Sequence, residues 1–358
     1  MQINRLLALA ALLASLGWAS AAQSQPTYRF DPDWPKLPLP DKWWLGGVTG
    51  LYVDHTDTIW VLNRPANLDN TENYATLDPP TAECCVAPPA IIAFDRDGNV
   101  VEHWDTQQGH GMMVDLDGNV WIGQDTVRKY SRDGTELAAI ARIPEDRPPE
   151  GKYAPETEMI VGGLEEIRAD EDAREIYAVD NYMNGRVLVF DKDTLAFKRG
   201  WGAYGKPLSE IRENPAPYDP QSPAGADFYG HVTLDLSNDG LVYVADRRGN
   251  RIQVLTKQGE FIKEFFLATY TLNRGSTGGI AFSADPAQRY LLIPDIQNNT
   301  IHILNRDDGV EVGRVGTPGN NGGQFHGLHM LDVDSDGNLY TGEVQAGERV
   351  QRFVLVDD

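Results

Sequence analysis

Six times along the chain, a short apolar strand runs into a turn of Asp, Asn or Gly and returns as a strand centred on one large side chain. The segments are VTGLYVDHTDTIWVLNR (48–64), GHGMMVDLDGNVWIGQDTVRKY (109–130) and GLEEIRADEDAREIYAVDNYMNGRVLVF (163–190). GHVTLDLSNDGLVYVADRRGNRIQVL (230–255), GGIAFSADPAQRYLLIPDIQNNTIHIL (278–304) and GLHMLDVDSDGNLYTGEVQAGERVQRF (327–353) follow. Alternating apolar residues between D-G and N-G turns signal strands and hairpins, and no long stretch carries a helical period. One such unit cannot bury its apolar face alone, so repeats must pack on one another. Six units of about 50 residues, each a small antiparallel sheet, predict an all-β chain folded as one six-bladed β-propeller. The irregular stretches Pro65–Pro89, Ile143–Val161 and Tyr204–Tyr229 read as loops on the propeller faces, where binding functions usually lie.

Aligning the units on their middle-strand residue (Trp60, Trp121, Tyr177, Tyr243, Leu291, Tyr340) exposes a second pattern. Eleven or twelve residues upstream, at the start of each inner strand, stand Thr49, His110, Glu165, His231, Gly279 and His329. Units two, four and six carry histidine there, out of seven histidines in the chain. Inner strands line the central channel of a propeller, so equivalent positions sit at one depth. Histidines from alternate blades can therefore converge on one point. Three imidazole nitrogens at roughly 2.0–2.1 Å are what a catalytic zinc site supplies, with a fourth position open to water or substrate. Imidazole also suits iron or copper, so zinc is the preferred metal without being the sole one. His55, His103, His302 and His326 fall outside the register and read as ordinary structural histidines.

With these residues in place, the chain resembles the peptidyl-α-hydroxyglycine amidating lyase family, the lyase domain of peptidylglycine α-amidating enzymes. It also carries an NHL-type repeat signature, as in ADRRGNRIQVL. The resemblance covers nearly all of the chain after its first residues and implies an NHL-repeat six-bladed propeller with zinc on His110, His231 and His329. It implies further that Arg64 binds substrate, that Tyr182 is the catalytic tyrosine and that Arg247 is a second active-site arginine. The family's structural calcium uses an aspartate directly after the third metal histidine. Met330 stands there in this chain, which leaves calcium doubtful, although Val48 and Met112 match positions that offer backbone carbonyls. The implied reaction breaks the C–N bond of an α-hydroxy amide bearing a carboxylate and releases an amide and glyoxylate. A tyrosine can act as base only if its surroundings lower a phenol pKa that is ordinarily near 10. Arginines read a carboxylate through a planar fork. Two other readings stay open: a non-catalytic NHL-type propeller that binds protein or glycan, and a metal-dependent hydrolase on the same scaffold.

Charge and leader set the expected setting. Residues 1–22 combine Arg5, an apolar run and small residues before position 22, the plan of a signal peptide. Residues 23–358 then form the propeller, exported to a periplasm or beyond the cell. A formal charge of −22 disfavours nucleic acid and anionic membrane surfaces. The expected partner is a small-molecule or peptide-derived substrate, with no nucleic acid and no membrane insertion once the leader is removed. The only cysteines, Cys84 and Cys85, are adjacent and provide either a vicinal disulfide or two thiols. DVDSDGNLYTGE (332–343) fits the calcium-loop pattern at every position, yet strands, not helices, flank it. It reads as a hairpin turn.

Overall fold

The computed structural model of the chain describes residues 25–144, 156–180, 185–212, 216–222, 225–344 and 346–356. Among them, six four-stranded antiparallel sheets succeed one another as the blades of a propeller. The inner strands are Gly47–Val53, Met112–Val114, Glu166–Asp170, Val232–Leu236, Ala281–Phe282 and Leu328–Val333. In the first five blades, the remaining strands follow in chain order outwards. Blade six is closed differently. Its outermost strand is Thr27–Asp31, which pairs antiparallel with Val350–Val356, so the two ends of the chain fasten the ring.

The repeat has a chemical basis. In blades one, two and six, the aspartate that opens the inner hairpin accepts a hydrogen bond from the aromatic residue six positions on. Trp60 Nε1 donates to Asp54 at 2.9 Å, Trp121 Nε1 to Asp115 at 2.9 Å, and the Tyr340 hydroxyl to Asp334 at 3.1 Å. A large aromatic can thus be fully buried between blades with its polar atom satisfied. Trp60, Trp121, Tyr177, Tyr243, Leu291 and Tyr340 are all buried there. Each contributes roughly 1.5–3 kcal/mol of apolar burial, more for the indoles.

DVDSDGNLYTGE is a hairpin turn between the strands Leu328–Val333 and Leu339–Glu343. Its acids serve separate purposes: Asp332 accepts from Val53 N, Asp334 from Asn338 and Tyr340, and Glu343 from Arg349 and Gln351. Gly337 takes the left-handed conformation that the turn requires, with φ of 85°.

In an antiparallel meander, the first strand begins on the face where the second and fourth strands end. The irregular stretches after Arg64 and Trp201 leave from that face, as does the one that follows Ala139. Cys84 and Cys85 are joined as a disulfide in the first of these stretches. Val86, the next residue, pairs with Trp43, while Trp44 N donates to Val86 O and Val86 N to Lys42 O. The loop thereby braces the chain entering blade one. No helix among the described residues is long and apolar enough to cross a membrane. Residues 1–22, expected to be a signal peptide, lie outside the described residues.

Candidate active site

The six register positions begin the inner strands on the face just described, and local backbone geometry turns them into the channel. Thr49 and His329 are the extra residues of bulges, lying between paired neighbours Val48 and Gly50, and Leu328 and Met330. His231 adopts φ of 55°, a conformation sparsely populated by residues other than glycine. Bulges and such backbone outliers re-aim side chains and gather at functional sites.

His110 and His329 meet. Their Nε2 atoms stand 3.3 Å apart, and the two rings cross edge to face with centroids 4.9 Å apart. His110 Nδ1 lies 2.9 Å from the carbonyl oxygen of Glu165, an acceptor, so Nδ1 carries the proton and Nε2 presents its lone pair. His231 reaches the same centre through Glu165: its Nδ1 is 3.0 Å from one carboxyl oxygen, and the other lies 3.8 Å from His110 Nε2. Glu165 thus bonds His110 through its backbone carbonyl and brings its carboxyl within 3.0 Å of His231. Its register position was legible in the sequence. Its role was not, because the contact joins neighbouring blades.

The site is enclosed and cationic. Burial pushes His110 down to about 3, with the charges of Arg64 and Arg247 adding to the effect. His231 and His329 are also held far below the ordinary range, first by burial and then by nearby cations. Burial pushes the Glu165 carboxyl up to about 8, against the pull of Arg247 and Arg64. The site therefore favours neutral imidazole, the form that binds metals. Four arginines act on it: Arg64, Arg247, Arg248 and Arg274. Arg64 also donates to the carbonyl of Gly109, next to His110. Asp246 accepts from Arg251, which the strand register places opposite it, and from Tyr229 N.

Two nitrogens bound at 2.0–2.1 Å in a tetrahedron stand about 3.3 Å apart, so the His110–His329 pair fits one edge of a zinc site. His231 is turned to Glu165, and no group of three His, Cys, Asp or Glu residues is in metal-holding geometry among the described residues. Met330 packs in an apolar cluster with Val48 and Leu45. Tyr182 lies outside the described residues.

The fold and its channel define a six-bladed propeller with a histidine and arginine centre at one end. No known family profile matches the chain. It is 22% identical over 337 residues to peptidyl-glycine alpha-amidating monooxygenase B of Xenopus laevis, a match covering 88% of this chain and 34% of that protein. The chain thus spans about a third of the length of this distant curated relative. Similar solved structures include a streptogramin B lyase, with a TM-score of 0.51 and 14% identity over 93% of this chain and 98% of that one. Another is the β-propeller domain of a Myceliophteria thermophila protein, with a TM-score of 0.51, 13% identity, and 87% and 84% covered. At such identities the structural likeness is one of fold.

Proposed function

We propose that the protein is an exported, zinc-dependent carbon–nitrogen lyase acting on a small α-hydroxy amide that carries a carboxylate. The observation that supports this most is the 3.3 Å approach of His110 and His329 Nε2 beside His231 and Glu165, ringed by arginines. The distant likeness to an amidating enzyme agrees with it. His110, His231 and His329 would hold the metal, and His231 would have to turn part of its bonding away from Glu165 to do so. A bound zinc ion supplies Lewis acidity to a substrate oxygen.

The remaining chemistry belongs to the chain. Arg64 and Arg247 pair with the substrate carboxylate and fix its orientation. Tyr182 is the base that takes the hydroxyl proton. As the C–N bond breaks, the hydroxyl carbon becomes the aldehyde of glyoxylate and the nitrogen leaves as a primary amide, having gained a proton. Nothing is oxidised or reduced. Glu165 is a positioning residue that keeps His110 and His231 in place.

Elemental analysis of the purified protein, with glyoxylate detection on an N-acyl-α-hydroxyglycine, tests the proposal. One zinc per chain and glyoxylate release are expected. A protein that takes up no transition metal and leaves the compound intact would return the fold to a binding role.

A further inference from the structure

A second cavity, of about 400 Å³, opens between blades one and six. One wall is Leu45, two residues before Gly47, the strand partner of Arg64. The opposite wall is the turn Gly347–Arg349. Arg349 is bonded to Glu343, itself the strand partner of Leu328 next to His329. Two stretches of its lining therefore adjoin strands that begin or end on the face that carries the histidines.

Its lining combines aromatic faces with unneutralised acid. Phe30, Trp34, Trp43 and Trp44 contribute aromatic surface, and Trp44 is exposed to solvent. The backbone at Trp43 and Trp44 is tied to Val86 of the first-blade loop. Glu72 and Glu348 bring two adjacent carboxyl groups to the cavity, with Asp69 adding negative charge. Burial, and then Glu72, push Glu348 up to about 7. The one cationic residue of the lining, Arg349, is committed to Glu343 and to the carbonyls of Asn320 and Gln324. Lys42 donates to Glu83 O. Among the described residues, no ion pair involves Glu72 or Glu348. Aromatic faces beside carboxylates form an environment for an ammonium group attached to an apolar body.

We propose that this cavity is the recognition subsite for the apolar, amine-bearing end of the substrate, an aromatic or branched aminoacyl group with a free amino group. The word substrate rests on the lyase reading. The cavity's preference for an apolar amine does not.

Phenethylamine is the first probe, titrated into the full-length mature protein and followed by calorimetry and tryptophan fluorescence. Saturable binding is expected, about ten-fold or more tighter than that of 3-phenylpropionate, as one charge-assisted contact implies. Glu348→Gln should weaken it, and the Glu72→Gln/Glu348→Gln pair should abolish the preference for the amine. Trp44→Ala, at an exposed position, should weaken both probes alike. Failure to saturate, equal binding of the acid, or indifference to the double substitution would overturn the proposal. Phenylalanyl-α-hydroxyglycine separates this idea from the lyase reading. Amine binding without glyoxylate from any derivative leaves the subsite standing and removes the lyase. Glyoxylate release with a KM unmoved by the double substitution does the reverse.

Discussion

The Nε2 atoms of His110 and His329 face each other at 3.3 Å, although 219 residues separate them in sequence. Neutral imidazoles held in this way are two of the ligands that the proposed metal would require. Replacing either with Ala, or replacing His231, is expected to remove bound metal and to lower turnover by about a thousand-fold or more. The thermal midpoint of each metal-free variant should match that of chelator-treated parent protein. A variant that keeps full glyoxylate release without metal would refute the assignment.

Glu165 makes a different prediction, because it supports the histidines without standing in their place. Glu165→Gln preserves shape and one acceptor but weakens the grip on His231. Outer partners of metal-bound histidines typically govern about 10–100-fold in metal affinity. Competition with a chromogenic chelator should show a loss of that size, with the far-ultraviolet spectrum unchanged. Excess zinc should restore turnover to Glu165→Gln but not to His231→Ala. Unchanged affinity in Glu165→Gln would mean that its contact with His231 is incidental.

The blades and the histidine register could be read from the sequence because both are local. The alternation of apolar positions, the D-G and N-G turns and the fixed step back to each inner strand all lie within single units. What escaped depends on contacts between distant parts. Thr27–Asp31 carries no sign that its partner is Val350–Val356, since the pairing is made by ring closure. Arg247 and Asp246 are adjacent in sequence, yet register assigns Asp246 to Arg251. Glu165 aligned with the histidines, but only the apposition of blades three and four brings its carboxyl to His231. The aromatic cavity is likewise assembled from the entry to blade one and a turn of blade six.

Asp115 supports two buried groups at once. It accepts from Trp121 Nε1 at 2.9 Å and lies 3.3 Å from the buried ammonium of Lys192, which also contacts Glu171 at 2.6 Å. Asp115→Ala strands the indole N–H and removes one counter-charge, which should cost about 3 kcal/mol of unfolding free energy. Asp115→Asn keeps an acceptor for the indole and should cost roughly half as much. Urea denaturation measures both. Equal losses would show that the charge on Lys192, and not the indole hydrogen bond, sets the penalty.

The stability of blade three should depend on pH through Glu175. Its carboxylate accepts from Arg199 at 2.8 and 2.5 Å, and from the Tyr177 hydroxyl at 3.0 Å, with Lys198 Nζ at 2.6 Å. The Arg199 hydrogen bonds, more than any other cause, hold the group down to about 2 from an ordinary 4.5, despite the opposing effect of burial. A carboxyl depressed in this way binds its proton more weakly folded than unfolded. The stability it adds is complete above about 4.5 and disappears as pH falls towards 2. Glu175→Gln removes the titration while keeping the shape. Wild type should melt higher than this variant at about pH 7, and the two midpoints should converge as pH is lowered across that window. Midpoints that stay a constant distance apart throughout it would show that Glu175 stabilises the blade by packing alone.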